Sequence, residues 1–319
     1  MIAFIFPGQG SQKVGMGRAL AASFAEARSV FEEADAAFAD PDRPSDPLTS
    51  ICFDGPAERL ALTEITQPAI LSVSIAASRV LEARGLRPAV VAGHSLGEYS
   101  ANVVAGTFAF TDAVRVVRRR GRYMQEAVPV GVGAMAAILG ATLELVRQAC
   151  EEASEGEIVS PANINGQGQV VIAGHASAVR RAADRAKALG ARRAVLLPVS
   201  APFHCALMKP AEERLEPELR GLAVRDPRVP IVANVDAAVK EDAPAAVDAL
   251  VGQVSAPVQW EAVVGRLASF GVTTYVEVGP GRVLGDLVRR IHTDATVTSF
   301  SAPEELGAVM AACSTSATK

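Results

Sequence analysis

Ala89-Val90-Val91-Ala92-Gly93-His94-Ser95-Leu96-Gly97-Glu98 is a short apolar run that ends in a Gly-x-Ser-x-Gly pentapeptide. Placement tells more than the pattern. The apolar run reads as a buried strand, and Tyr99 to Ala105 continue with helical spacing. A serine on a sharp strand-to-helix turn is lifted clear of the sheet, with the following N–H groups aimed where an oxyanion would form. The two glycines suit a turn that leaves little room for a Cβ. Such pentapeptides also recur by chance as plain turns; the strand before and the helix after favour a nucleophile at Ser95.

A serine hydroxyl needs a base, and the chain has four histidines. His94 sits beside the serine and is expected to point away from it; His175, in a Gly-His-Ala-Ser turn, and His292, at an Arg-rich helix end, read as surface or capping residues. His204 follows the apolar run Ala194 to Val199 and closes Ser200-Ala201-Pro202-Phe203-His204. Catalytic groups of open α/β sheets collect at the carboxyl ends of strands. Serine before histidine, 204 − 95 = 109 residues apart, also suits hydrolase-type chain order. The alternative is a loop histidine with a satisfied hydrogen bond. No acidic third member stands out, so the imidazole is expected to be oriented by another group, such as a backbone carbonyl.

With 50% hydrophobic residues over 319 positions, the chain can bury a large core as one domain or one and a half. Its apolar content is Ala, Val and Leu rather than aromatic, which suits helices packed on a parallel sheet. A net charge of −4 argues against general nucleic-acid or membrane-surface binding, while Arg192-Arg193 and Arg289-Arg290 could still meet an acidic partner. Cys52, Cys150, Cys205 and Cys313 have neither metal spacing nor a disulfide framework, which points to a reducing compartment and no metal. Met1 to Phe6 is too short and uncharged for a signal peptide, and nothing approaches a membrane span. A cytoplasmic protein is expected.

Along the chain, Ile2 to Phe6 reads as a strand ending in the loop Pro7-Gly8-Gln9-Gly10-Ser11-Gln12. Helical pattern runs from Gly17 to Phe38, a Pro/Asp-rich loop from Asp40 to Pro47, and a helix from Gln67 to Arg84 with Pro68 in its first turn. After the elbow comes a helix from Thr111 to Glu126, capped by Thr111-Asp112. Beyond Pro129 the order is strand Ala134–Leu139, helix Thr142–Ser154, strands Ile158–Asn163 and Val170–Ala173, helix Ser177–Leu189 and strand Ala194–Val199. That is β-α-β-β-α-β, a ferredoxin-like arrangement. From Pro230 the expected elements are strand Ile231–Asn234, helices Asp242–Gly252 and Trp260–Phe270, strand Thr274–Val278 and helix Val283–Ile291, before a frayed tail from Cys313 to Lys319. The fold class is therefore α/β: an α/β-hydrolase-like subdomain with a mostly parallel sheet (1–129 and 198–319) and an inserted ferredoxin-like subdomain (130–197).

Phe6-Pro7-Gly8-Gln9-Gly10-Ser11-Gln12, Thr66-Gln67-Pro68-Ala69, Gly93 to Ala101, Arg120-Gly121 with Met124-Gln125, Ser200 to His204, Pro257-Val258-Gln259-Trp260 and Glu277-Val278-Gly279-Pro280-Gly281 occur in that order. Together these seven blocks resemble the malonyl-CoA:acyl-carrier-protein transacylases of bacterial fatty acid synthesis and the related acyltransferase domains of polyketide synthases. The resemblance covers almost the whole chain. It implies that Ser95 carries the acyl group as an ester, that His204 is its general base, and that the backbone N–H groups of Gln9 and Leu96 form the oxyanion hole. It sets Arg120 against the free carboxylate of the malonyl group, a task suited to a planar fork that keeps its charge when buried. Arg118 and Arg119 then face solvent, since helical periodicity cannot turn all three to one pocket.

The resemblance further implies that the Ala256 backbone carbonyl orients His204, where family members often carry asparagine. Asn163 and Asn165 fall where the family lines its cleft, although Asn165-Gly166 also reads as a turn. Phe203 beside His204 resembles the malonyl-type signature and crowds a methyl branch. The expected reaction is ping-pong transfer of malonyl from malonyl-CoA to the phosphopantetheine thiol of acyl carrier protein. No cofactor is implied beyond the coenzyme A thioester itself. The expected partners are malonyl-CoA and acyl carrier protein, docked on a basic patch for which Arg192 and Arg193 are candidates; the chain is expected to be a monomer. Alternatives are a trans-acting polyketide synthase acyltransferase and a serine thioesterase or acyl hydrolase.

Overall fold

The computed structural model describes residues 1–40, 45–199 and 201–314. Part of the expected Asp40–Pro47 loop, Ser200 of the histidine block and the last five residues lie outside these. In chain order the elements are β1 (Ile2–Phe6), α1 (Arg18–Ser23), α2 (Ala25–Phe38), α3 (Leu48–Asp54), α4 (Ala57–Leu60), α5 (Thr63–Glu82), β2 (Val90–Gly93), α6 (Gly97–Ala105) and α7 (Phe110–Glu126). Then follow β3 (Gly133–Leu139), α8 (Leu143–Ala153), β4 (Val159–Ile164), β5 (Gln169–His175), α9 (Ala176–Ala188) and β6 (Arg193–Leu196). The chain continues through α10 (Lys209–Arg220), β7 (Ile231–Val232), β8 (Val239–Lys240), α11 (Ala243–Gln253), α12 (Trp260–Ser269), β9 (Thr274–Val278), α13 (Val283–Ile291), β10 (Thr296–Phe300) and α14 (Leu306–Ser314).

A six-stranded sheet has the order β10-β9-β1-β2-β7-β8, parallel throughout except for the β7–β8 edge pair. Its central strands are apolar on both faces. Ala3 and Ile5 of β1 pack with α12 and α13, while Phe4 and Phe6 join the core containing α5, as the period-two alternation of a strand requires. The second sheet, ordered β4-β5-β3-β6, is antiparallel. Ala136 and Ile138 of β3 face α8 and α9; Met135 faces the larger core. A bridge between Asn163 and Val258 joins the two parts, with the Val258 N–H donating to the Ala162 carbonyl at 2.9 Å and the Ile164 N–H to the Val258 carbonyl at 2.8 Å. None of the described helices is long and apolar enough to cross a membrane.

Several sequence expectations need correction. The helix over Gly17–Phe38 is two helices that part at Phe24, whose backbone is extended (φ −131°, ψ 126°). Pro68 lies inside α5, which begins at Thr63; the Leu62 carbonyl takes the first N–H groups, those of Ile65 and Thr66, so the start is already made before the proline. Thr111 and Asp112 do not cap α7. Its N-cap is Ala109, and Asp112 pairs with Arg115 at 3.1 Å instead. Strand β7 stops at Val232, so Asn234 is past the ladder; β8 and β10 were not anticipated. Cys313 and Ser314, expected in a frayed tail, close helix α14, with Cys313 buried.

Candidate active site

The loop after β1 and the turn after β2 leave neighbouring parallel strands at the same sheet edge and pack on one another. The His94 N–H donates to the Phe6 carbonyl at 3.0 Å, and a Cβ at Gly97 would overlap that carbonyl. A Cβ at Gly93 would overlap the backbone of Gly97. Both pentapeptide glycines are thus required by close backbone approach. Between them Ser95 has φ 52°, the left-handed conformation of a tight elbow. Leu96 is the N-cap of α6, so its N–H has no intrahelical acceptor. The Ser95 N–H is taken by Asn234 Oδ1 at 2.7 Å, while Asn234 Nδ2 donates to the Gly93 carbonyl at 2.6 Å. The asparagine side chain holds the elbow from behind.

His204 reaches the elbow from a loop and is itself in the left-handed region (φ 59°). Its Nε2 lies 2.7 Å from Ser95 Oγ, and its Nδ1 lies 3.0 Å from the Gln253 carbonyl. A carbonyl only accepts, so Nδ1 carries the proton and Nε2 presents its lone pair to the serine hydroxyl. Burial, then the nearby positive charge of Arg120, pushes the imidazole pKa down to about 3. A neutral imidazole so aimed can take the hydroxyl proton as the oxygen attacks.

The expected carbonyl was that of Ala256; the structure puts Gln253 in that place. Gln253 is the last residue of α11, where carbonyls have no intrahelical donor, and its oxygen is therefore free for the imidazole. The Ala256 carbonyl contributes a lesser stabilisation of the charged ring.

Arg120 is 1% exposed, in contrast to its two neighbours. Arg118 stacks on Phe38 with 4.1 Å to the ring centroid, and Arg119 pairs with Glu218. Gly121 explains how the third arginine is buried: a Cβ there would run into the backbone of Thr63, so α7 lies directly on the start of α5. That approach sets Arg120 Nη1 2.8 Å from Gln67 Oε1. Its Nη2 donates to Gln253 Oε1 at 2.9 Å and to Ser95 Oγ at 3.2 Å. Every one of these acceptors is neutral, and Nε is buried without a partner.

The cleft holding these groups has a volume of about 980 Å³ and is lined by Gln9, Gln67, His94, Ser95, Arg120, Met124, Asn163, Phe203 and His204. Asn163 and Phe203 thus stand on its wall. Asn165 accepts from His94 Nε2 at 3.0 Å, which turns the His94 ring away from the serine toward the smaller sheet. Burial holds the His94 pKa below its ordinary value. His175 Nδ1 accepts from the Ile158 N–H, and His292 Nδ1 meets the Tyr275 hydroxyl, both far from the cleft in their bonding. Among the described residues no cluster of His, Cys, Asp or Glu could hold a metal ion.

Residues 3–301 match the family model of the acyl transferase domain. The chain belongs to the acyl transferase family. It is 50% identical to the malonyl CoA-acyl carrier protein transacylase of Escherichia coli K12, over 97% of this chain and 98% of that one. A crystal structure of an acyl carrier protein S-malonyltransferase from Vibrio cholerae superposes with a TM-score of 0.93 at 45% identity, covering 97% of this chain and 99% of that one. A malonyl-transacylase solved in complex with a type II polyketide synthase acyl-carrier protein gives 0.92 at 45% identity, covering 96% and 97%.

Gln67, Asn234 and Gln253 were not singled out as functional in the sequence. Gln67 was visible inside the Thr66-Gln67-Pro68-Ala69 block of this acyl transferase chain. Asn234 and Gln253 carry no local signal, because neutral amides act here through contacts made only in the folded chain.

Proposed function

We propose that the protein transfers malonyl from malonyl-CoA to the phosphopantetheine thiol of acyl carrier protein through a seryl ester. What carries the reading is the buried guanidinium of Arg120, bonded only to neutral acceptors and within 3.2 Å of Ser95 Oγ. A buried cation with no anion in direct contact is costly, Glu98 relieving it only from behind the site, and a substrate bearing a terminal carboxylate next to its reacting carbonyl supplies a direct partner.

Ser95 Oγ gives its proton to His204 Nε2 and attacks the thioester carbonyl. The N–H groups of Leu96 and Gln9 receive the oxyanion, and its collapse expels the coenzyme A thiolate, which takes the proton from His204. The carrier thiol then repeats the sequence in reverse. Phe203 crowds a branched acyl group, a discrimination worth ~1–3 kcal/mol per methyl. Asn163 lines the acyl pocket. The exposed Arg192 and Arg193 lead along β6 to Leu197 and Val199 at the cleft wall, a basic approach for an acidic carrier. Residues 1–129 with 198–319 form the catalytic subdomain and 130–197 the inserted one; the chain works in the cytoplasm as a monomer, with no cofactor.

Malonyl-CoA alone should add one malonyl mass to the protein, lost in Ser95→Ala with the fold intact. With purified carrier protein present, malonyl should move to its thiol with little free malonate. An undiminished adduct in Ser95→Ala would refute the nucleophile, and free malonate as the main product would mean a hydrolase.

A further inference from the structure

Behind the nucleophile lies a buried carboxylate that touches neither the serine hydroxyl nor the imidazole. Glu98, the residue after the second elbow glycine, is 1% exposed. Its Oε2 accepts from the side-chain amide of Gln253 at 2.7 Å and from the Asn234 N–H at 3.0 Å. Gln253, fully buried, makes the contacts that align the rest of the site. Its backbone oxygen takes the His204 Nδ1–H, its Oε1 takes Arg120 Nη2, and its Nε2 donates to the Ser95 carbonyl at 3.0 Å.

An amide can face a neighbour with either end, since one end only accepts and the other only donates. A guanidinium offers donors alone and a carboxylate offers acceptors alone. With the amide reversed, its NH₂ would meet Arg120 and its oxygen would meet Glu98, donor against donor and acceptor against acceptor. One orientation therefore satisfies both neighbours.

We propose that Glu98 is a positioning residue for the acyl transfer, acting through Gln253: by accepting from Nε2 it turns Oε1 toward Arg120 and braces the end of α11 whose carbonyl steers His204. Its reach into the site is double. Through the amide it holds the guanidinium where an acyl carboxylate must pair, and through the helix end it holds the base. The first effect concerns only substrates with a carboxylate; the second concerns all acyl groups. The inference rests on the transacylase reading above.

The test compares formation of the acyl-enzyme from malonyl-CoA and from acetyl-CoA in Glu98→Leu, Glu98→Gln and the wild type, by intact mass over time. In Glu98→Leu the Asn234 N–H loses its acceptor and Gln253 Nε2 keeps that of Ser95 but loses the carboxylate. The malonyl rate is expected to fall at least tenfold further than the acetyl rate, a loss typical of hydrogen bonds to charged groups. Glu98→Gln, whose amide oxygen can replace Oε2, should recover most of that discrimination. If the leucine protein does not fold, Glu98→Asp, with its oxygens drawn back by one methylene, should show the same selective loss. Equal losses on both substrates would overturn the action on Arg120, and wild-type rates on both in the leucine and aspartate proteins would overturn the role altogether, each leaving the wild-type malonyl adduct standing. A wild type that takes up neither acyl group would overturn both readings.

Discussion

Arg120 is held as a charge in waiting. Gln67, Gln253 and the serine hydroxyl fix its fork through neutral bonds, and Glu98 acts on it only from behind, so the guanidinium has no directly paired anion until an acyl carboxylate arrives. In Arg120→Ala, malonyl transfer should fall by orders of magnitude, since losing one side of a desolvated pair costs ~2–5 kcal/mol. Acetyl-CoA has no carboxylate to lose, and the preference should invert toward it. The same charge also bears on the base. After burial, Arg120 is the largest influence lowering His204, and activity requires the neutral ring. In the wild type, acylation from acetyl-CoA should hold from neutral pH to well below 6 and fall only toward pH 3–4. Without Arg120 the imidazole becomes more basic, so the acid limb, followed with acetyl-CoA, should move up toward 6.5. A limb unmoved by the substitution would mean that the guanidinium does not act on His204. A malonyl carboxylate paired with Arg120 would have the same electrostatic effect as removing it, so the proper substrate strengthens its own general base.

At the scale of elements, the approach of α7 to α5 at Gly121 decides whether Arg120 and Gln67 meet. Gly121→Val forces a branched Cβ onto the Thr63 backbone, and overpacking of this kind costs ~1–3 kcal/mol. The expected result is a lowered melting temperature together with malonyl acylation impaired more than acetyl acylation. Equal impairment would mean that the glycine serves packing alone. The central strands were legible in sequence, β1 and β9 to the residue: β1 is a continuous apolar run, as a strand buried on both faces should be, and β9 is a β-branched and aromatic stretch closed by Gly279-Pro280-Gly281. Strand β7 was expected but two residues too long, and the two-residue strand β8 is too short to show a period. Strand β10, half-exposed and rich in threonine and serine, has no apolar run. Pro68 misled for a different reason: proline is at home in a first turn, and nothing local reveals that α5 already begins at Thr63. Among site residues, Ser95 and His204 stood out because the nucleophile's glycine spacing and the strand-end histidine are local signals, whereas Arg120 was told from Arg118 and Arg119 only by the family resemblance. Gln253 did not, since its importance comes from being the last residue of α11 and from facing three other elements at once.

Over the whole molecule, four buried titrating groups shape how stability responds between neutral pH and about 4.5. His204 and His94 are lowered by burial, so between their folded pKa and the ordinary 6.5 the unfolded chain binds more protons. Their contribution is complete above 6.5 and is lost as pH falls through that range. Glu98 and Glu277 are raised by burial from 4.5 to about 7, so between these values the folded chain binds more protons and acidification stabilises it. From pH 6.5 to 4.5 the two effects oppose each other; below 4.5 His204 is joined by Glu144, Glu152, Glu157 and Glu305, whose hydrogen-bonded carboxyls are held below their ordinary value and lose that stabilisation on protonation. The melting temperature should therefore stay nearly level from pH 7 to about 4.5 and then drop. Glu277 offers a test outside the cleft, where its oxygens accept from the Leu284 and Gly285 N–H groups and start α13. Glu277→Gln can still accept through one oxygen but no longer takes up a proton. The histidines are then opposed by Glu98 alone, and the decline should begin at a higher pH than in the wild type. A variant curve parallel to the wild type across this window would show that the Glu277 carboxyl does not titrate there.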